Sequence, residues 1–289
     1  MARERWSHSK VVRLHRCGEA FRREIEEKDP SPPTSSMVRG TTVHYVAAEG
    51  HMRQLAARTA QPGHPKSIVL RESLPSSEEA ADLAATRFET EKRAYGIAAP
   101  ADEFGPASKI IGRDKDTAVR MSRFYVEKVA PFIDPTFVER KIVVEPEDAD
   151  IAISGILDLG TKDLQGDETI WDTKTGARKP SSNEADTSDQ LTMYALLRKL
   201  ETGKLPARVG LNYIVAEPKA NTGVYSVELL SKRTEADIRV AVNRLNNAIE
   251  AVRKGVYLAN GPGNWWCSPK WCRFHPTCPY VRQPVKEGE

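Results

Sequence analysis

No stretch of this sequence approaches the ~20 consecutive apolar residues needed to cross a bilayer, and no apolar signal core stands near its start. The expectation is a protein with no membrane association that stays in the cytoplasm where it is made. Cysteine is scarce: Cys17, Cys267, Cys272 and Cys278 are the full set. In a reducing compartment such a set points to metal rather than to disulfides. Acidic residues are absent from Arg253 to Lys286. Internal repeats are absent too, which excludes solenoid and propeller architectures. Net charge is small, +3, and does not by itself imply a nucleic-acid partner.

The distribution of charge says more than its sum. Arg3, Arg5, Lys10, Arg13, Arg16, Arg22, Arg23 and Lys28 crowd one end, and the acid-free stretch lies at the other. If the two ends fold together they form a basic patch. The chain has 289 residues, long enough for a substantial core, with 39% apolar and 29% charged side chains. The pattern predicts a helix over residues 7–28, a loop over 30–36, a helix over Thr42–Gln54 and a short strand at Ile68–Leu70. Helices are predicted from Ser76 or Ser77 to Tyr95 and from Lys115 to Val129. Strands follow at Phe137–Glu145, Ile151–Leu159 and Thr169–Lys174, with a hairpin turn at Gly166. Then come a polar loop over 179–186, a helix over Ser188–Glu201 stopped by Gly203, strands over Val209–Ala216 and Gly223–Leu230, and a charged helix over Lys232–Lys254. The order supports an α/β or α+β core with helices on a sheet.

The chemistry concentrates around residues 153–176. Asp172 and Lys174 are two apart on a predicted strand and so share a face. An antiparallel hairpin about Gly166 would bring Asp158 beside them. Two carboxylates and an ammonium converging on one sheet end suit a divalent cation. Mg²⁺ and Mn²⁺ prefer oxygen ligands, and they activate water for phosphodiester hydrolysis. As a short pattern, D-x-K also fits a plain surface salt bridge. Gln190 and Tyr194, spaced i,i+4, occupy one face of the next helix and can offer an amide and a phenol to the same place. His44 follows Gly40 near a helix start and is a further candidate ligand, and Glu139 and Glu145 are two loose carboxylate candidates.

Cys267, Cys272 and Cys278 fall close together, with Cys17 far upstream. Four thiolates can hold either an iron–sulfur cluster or zinc, and spacing does not choose between them. His275 could replace one thiolate in a zinc site. Trp265, Trp266, Trp271 and Phe274 could shelter the group, or the tryptophans could stack on bases.

Taken together, these motifs resemble the PD-(D/E)XK nuclease superfamily, in its RecB-like exonuclease branch. Asp158 matches the first acidic motif, Asp172-Thr173-Lys174 the acidic-x-Lys motif, Gln190 and Tyr194 the following helix motif, and Gly40 to His44 the upstream element. Leu157 stands where the superfamily name expects proline. The match runs from about Ser9 to Tyr280. The resemblance implies a restriction-endonuclease-like central mixed sheet flanked by helices, as one nuclease domain over 1–289 with a largely helical insertion at 60–130. It implies Mg²⁺- or Mn²⁺-dependent DNA hydrolysis with catalytic Asp158, Asp172, Lys174, Gln190 and Tyr194, and His44, Asp158 and Asp172 on the metal. Helicase–nuclease subunits and CRISPR-associated adaptation nucleases of this branch carry one cysteine before the core and three after it on a 4Fe-4S cluster. That order implies a clasp of Cys17, Cys267, Cys272 and Cys278, with the 255–289 tail packed on the N-terminal helix; the Cys267–Cys272 gap is longer than usual. Similar compact nucleases are phage-encoded. The implied setting is a bacterial or phage-infected cell, with DNA ends as substrate and recombination or replication proteins as partners. A structure-selective flap or nicking endonuclease, and a catalytically silent DNA-binding protein, share the same motifs.

Overall fold

The computed structural model describes residues 3–26, 32–61, 63–100, 103–147, 150–217, 223–261 and 263–282. The chain begins with strand β1 (Glu4–Trp6) and helices α1 (His8–Arg16), α2 (Gly18–Glu26), α3 (Ser35–Ala60), α4 (Lys66–Glu72), α5 (Ser77–Tyr95) and α6 (Ala107–Phe124). Strands β2 (Pro135–Val144), β3 (Ile151–Lys162) and β4 (Glu168–Gly176) follow. Helices α7 (Glu184–Thr187) and α8 (Asp189–Thr202), strands β5 (Arg208–Ala216) and β6 (Val224–Ser231) and helix α9 (Glu235–Arg253) complete the order. The result is a mixed sheet of six strands flanked by helices, a restriction-endonuclease-like α/β architecture.

β3 is the hub of the sheet. β2 runs antiparallel along one flank of it from Ile153 to Thr161. The other flank is shared. β1 pairs with Ile151–Ile153 in parallel, and β4 pairs with Leu159–Lys162 antiparallel. Between those two partners the strand edge from Ser154 to Asp158 is open, so the sheet forks there. β4 then pairs in parallel with β5, and β5 antiparallel with β6.

Burial follows from this order. β5 lies inside the sheet and is buried along most of its length, whereas β6 at the rim alternates. Val209 and Leu211 of β5 join the α8 and α9 layer with Leu191, Leu197 and Leu245. Ile214 and Ala216 join Val43, Ala47, Met121 and Tyr125 of the α3 and α6 layer. Ser188 caps α8 by accepting from the Leu191 amide, and Gly203 at φ 82° ends it in the left-handed conformation. Thr234 and Asp237 form a reciprocal capping box on α9.

Several local expectations are corrected. The predicted helix over 7–28 is two helices broken at Cys17, whose backbone is extended (φ −167°, ψ 113°). The cause lies in the tail: the Gly18 amide donates to the Leu258 carbonyl at 2.8 Å, and a Cβ on Gly18 would stand 2.6 Å from the Leu258 nitrogen. Residues 27–28 and 30–31 of the first helix and loop expectations lie outside the described residues. Ile68–Leu70 is helical, inside α4, because three apolar residues are too few to display a period. α3 starts at Ser35 and runs well beyond Gln54; Thr34 caps it by accepting from the Met37 amide at 3.4 Å. α6 begins at Ala107, and a π-helical turn, Tyr125–Val129, follows it. The polar loop over 179–186 ends in α7. β1 was not foreseen; a strand of three residues carries no readable alternation.

Candidate active site

Asp158 and Asp172 meet where the sheet forks. β3 and β4 part beyond the Leu159–Trp171 pair, and the two carboxylates sit one residue past it on either strand. Asp158 Oδ2 accepts the Thr173 amide at 3.0 Å, which ties the two strands together across the opening. The Tyr194 hydroxyl lies 3.4 Å from Asp158 Oδ1 and 3.3 Å from Asp172 Oδ1, so one phenol bridges both carboxylates. Gln190, one turn earlier on α8, donates to Asp172 Oδ1 at 2.8 Å and accepts from Lys174 Nζ at 2.7 Å. Its amide also donates to the Tyr194 oxygen at 2.9 Å. The strand spacing of Asp172 and Lys174 and the helical spacing of Gln190 and Tyr194 thus converge on one cluster.

From the opposite layer, α3 delivers His44, whose Nδ1 is 3.2 Å from Asp158 Oδ2. Burial alone would lower the His44 pKa. The Asp158 hydrogen bond and charge, with the charge of Asp172, more than offset this and raise it. Asp172 is only 1% exposed. Burial pushes its pKa above the ordinary carboxylate range, the charge of Asp158 adds to this, and Lys174 and His44 oppose it. Lys174 Nζ forms an ion pair with Asp172 Oδ2 at 2.7 Å. Two carboxylates brought together on one phenol, one of them buried, are the donor chemistry that suits a hard divalent cation. Among the described residues no three histidine, cysteine or acidic side chains already stand as a ready ligand set. In this arrangement His44 bonds to Asp158, and Asp172 to Gln190 and Lys174, so these side chains must part to take a cation.

Glu139 belongs near this cluster. Val138 and Arg140 pair with Leu159 and Leu157, which puts Glu139 across from Asp158. Its backbone has φ 45°, a left-handed conformation that non-glycine residues rarely adopt and that recurs at functional positions. Burial raises its pKa, and the charge of Asp158 adds to the effect. Glu145, by contrast, lies past the end of β2 and pairs with Arg3 at 3.9 Å. Behind the cluster the buried His51 bonds through Nε2 to the Tyr125 hydroxyl at 2.7 Å and through Nδ1 to Gln54 Oε1 at 2.7 Å. The Tyr125 hydroxyl also bonds to Thr173. Burial drives the His51 pKa down to about 4. A small cavity bordered by His44, His51, Tyr125, Glu139, Asp158 and Thr173 joins the two groups. Nothing in the sequence pattern around His51 or Tyr125 signals this support; only the packing of α3 on α6 creates it.

The cysteines lie at the junction of tail and N-terminal helices. Cys17 is the break between α1 and α2, and its sulfur accepts from the Asn260 amide at 3.4 Å. Burial raises the thiol pKa values of Cys267 and Cys272, and the charges of Cys17 and Cys278 raise both further. The four sulfurs therefore share one neighbourhood, without forming a ready ligand group. Around them Asn260 Nδ2 donates to the Arg16 carbonyl at 2.7 Å, Arg23 donates to Thr277, and the Arg16 guanidinium stacks 3.9 Å from the Trp266 ring centre. Trp265 stacks on Trp266 at 4.0 Å and is 59% exposed, and Trp271 meets both edge-on. The described parts of the two basic ends do meet in space. His275 sits in a short 3₁₀ turn beside Cys278.

No curated protein matches the sequence. Among solved structures, a candidate exonuclease from Eubacterium rectale superposes with a TM-score of 0.52 at 11% identity, covering 98% of this chain and 91% of its own. SSO0001 superposes with a TM-score of 0.41 at 15% identity, covering 96% of this chain and 88% of its own. At such identities the first of these is a likeness of fold. The signature of the PD-(D/E)XK nuclease superfamily matches residues 5–279, so nearly the whole chain, and the fork that carries Asp158, Asp172 and Lys174, belongs to the PD-(D/E)XK nuclease superfamily.

Proposed function

We propose that this nuclease is a Mg²⁺- or Mn²⁺-dependent DNA exonuclease of the RecB-like branch. The observation that carries the reading is the buried Asp172 carboxylate, paired with Lys174 and sharing the Tyr194 hydroxyl with Asp158. Asp158, Asp172 and His44 would hold the cation, which supplies a more acidic bound water and screens phosphoryl charge. Lys174 sits where it can orient the attacking water and neutralise charge on the phosphate. Gln190 fixes the direction of the Lys174 ammonium, and Tyr194 keeps the two carboxylates in register. The Eubacterium rectale neighbour, whose name is that of a candidate exonuclease, favours action at ends.

At the junction of the tail and the N-terminal helices, Cys17, Cys267, Cys272 and Cys278 would hold a 4Fe-4S cluster, or zinc in its place. Either would clasp the 255–289 tail to the N-terminal helices. The action of the Cys17 and Cys278 charges on Cys267 and Cys272, and the bond from the Asn260 amide to Cys17, support a common site. Anaerobic purification with visible absorption and iron analysis distinguishes the two: cluster absorption supports iron, stoichiometric zinc supports the alternative, and neither removes the clasp.

End-labelled linear DNA and covalently closed circular DNA, each incubated with Mn²⁺, test the main reading. Loss of the linear substrate alone, abolished in Lys174→Ala, is expected. Equal cleavage of the closed circle would replace the exonuclease with an endonuclease, and cleavage unaffected by Lys174→Ala would overturn the proposed centre.

A further inference from the structure

A groove borders the candidate active site on the open edge of β3. It encloses about 360 Å³, within the range of sites that hold small organic ligands. Gln190 and Tyr194, which bond to Asp172 and Lys174, form one end. Ser154, Gly155 and Ile156 line it with the strand edge that neither β1 nor β4 covers.

The chemistry of the lining is one-sided. Although the chain carries 40 acidic residues, none lines the groove. Its polar wall is Ser7, His8, Ser9 and Lys141, and its apolar wall is Ile156, Met193 and Leu197. Lys141 is exposed and has no ion pair or hydrogen bond among the described residues, so its ammonium is available to a ligand in the groove. Ile156, directly opposite Lys141 on β3, is 49% exposed. The Ser7 oxygen accepts from the Lys10 amide at 3.3 Å, which leaves its proton free to donate outward. His8 lines the groove together with Gln190, which bonds to Lys174 at 2.7 Å, so the polar wall adjoins the candidate centre. A cation, hydroxyls and an imidazole on one side, with an aliphatic wall on the other, match an anionic group attached to a flat, partly apolar body.

We infer that this groove seats the nucleotide adjoining the scissile phosphate. Lys141, with His8, Ser7 and Ser9, takes the next phosphate along the strand, and Ile156, Met193 and Leu197 take the base or sugar. The inference rests on the nuclease reading and extends it: the enzyme grips one nucleotide beyond the bond it cuts, on the α1 side of the fork. Phosphate contacts of this kind position a strand without reading its sequence.

The test compares two substrates on the full-length protein. One is a short single-stranded oligonucleotide. The other is bis(para-nitrophenyl) phosphate, an ester that offers a phosphodiester but no adjoining nucleotide or second phosphate. For Lys141→Ala combined with His8→Ala, the ratio of kcat/KM on the oligonucleotide to kcat/KM on the small ester is expected to fall roughly tenfold or more, the scale of a lost charged contact. Ile156→Glu, which puts a carboxylate into the apolar wall, should lower the same ratio. Lys128→Ala, which removes an exposed charge from the π-helical turn and does not touch the groove lining, should leave it unchanged. An unchanged ratio in the double variant, or an equal fall with Lys128→Ala, would overturn the groove assignment. If the wild-type protein cleaves neither substrate, the nuclease reading fails. The groove is then judged by fluorescence anisotropy of the labelled oligonucleotide, where equal affinity in wild type and double variant overturns it and a weakened variant upholds it.

Discussion

Replacing Gln190 by alanine isolates the part of the site that the helix contributes. Gln190 makes three hydrogen bonds, at 2.7 Å with Lys174, 2.8 Å with Asp172 and 2.9 Å with Tyr194. Two of these involve charged partners, for which a bond is worth about 1.5–3 kcal/mol each. The half-exposed position of Lys174 reduces its share. A loss of about 2–3 kcal/mol in transition-state stabilisation remains, or roughly 30- to 150-fold in rate. The assay is the initial rate on an end-labelled oligonucleotide over a Mn²⁺ titration, with thermal unfolding of the same preparations. The expected pattern is a lower plateau rate that added Mn²⁺ does not restore, because the misdirected group is the Lys174 ammonium. A Gln190→Ala protein that is folded and within about threefold of wild type would refute this reasoning, since the rate scale allows no such small effect for two charged bonds. Full recovery at high Mn²⁺ would move the role of Gln190 from Lys174 to cation affinity.

Asp172→Asn should abolish hydrolysis yet stabilise the metal-free protein at neutral pH by up to about 3 kcal/mol, the scale of a carboxyl pKa raised to about 6. The sign follows from a folded-state pKa raised by burial and by Asp158. The cost of the charge is absent below the ordinary carboxylate pKa and fully present above the raised value. The difference in Tm between variant and wild type should therefore shrink as pH falls towards 4, and a constant difference would contradict it. Gly18→Ala should cost about 1–3 kcal/mol, because a Cβ there meets tail backbone at 2.6 Å rather than a yielding side chain; limited proteolysis should release the tail earlier. Cys17→Ser should remove any cluster absorption and lower Tm together, and loss of one without the other would separate cluster from clasp.

Much of the centre was legible because strand and helix periods act over short distances. Asp172 and Lys174 share a face two residues apart, and Gln190 and Tyr194 share one four apart, whatever lies around them. The β3–β4 hairpin about Gly166, with φ 86°, followed from turn chemistry. What escaped the sequence depends on long-range placement. β1 is three residues long, and only its docking on Ile151–Ile153 makes it a strand. Its arrival carries His8 and Ser9 to the open edge of β3, so the groove residues looked like an ordinary helix start. The Cys17 break could not be read either, since Val11, Leu14 and Phe21 keep a helical spacing across it and the tail's approach to Gly18 interrupts the helix. Glu139 sits in a regular strand pattern, and its left-handed backbone is visible only in the fold.

The central claim is that the fork between β3 and β4 hydrolyses phosphodiester bonds through Asp158, Asp172 and Lys174. Single-turnover cleavage of labelled DNA with Mn²⁺, by wild type and by a folded Lys174→Ala protein, tests it most directly. Cleavage by wild type that stops with a chelator, and falls roughly 10²- to 10³-fold in the variant, is the predicted result. Chelator-insensitive cleavage, or equal rates in the two proteins, would contradict it.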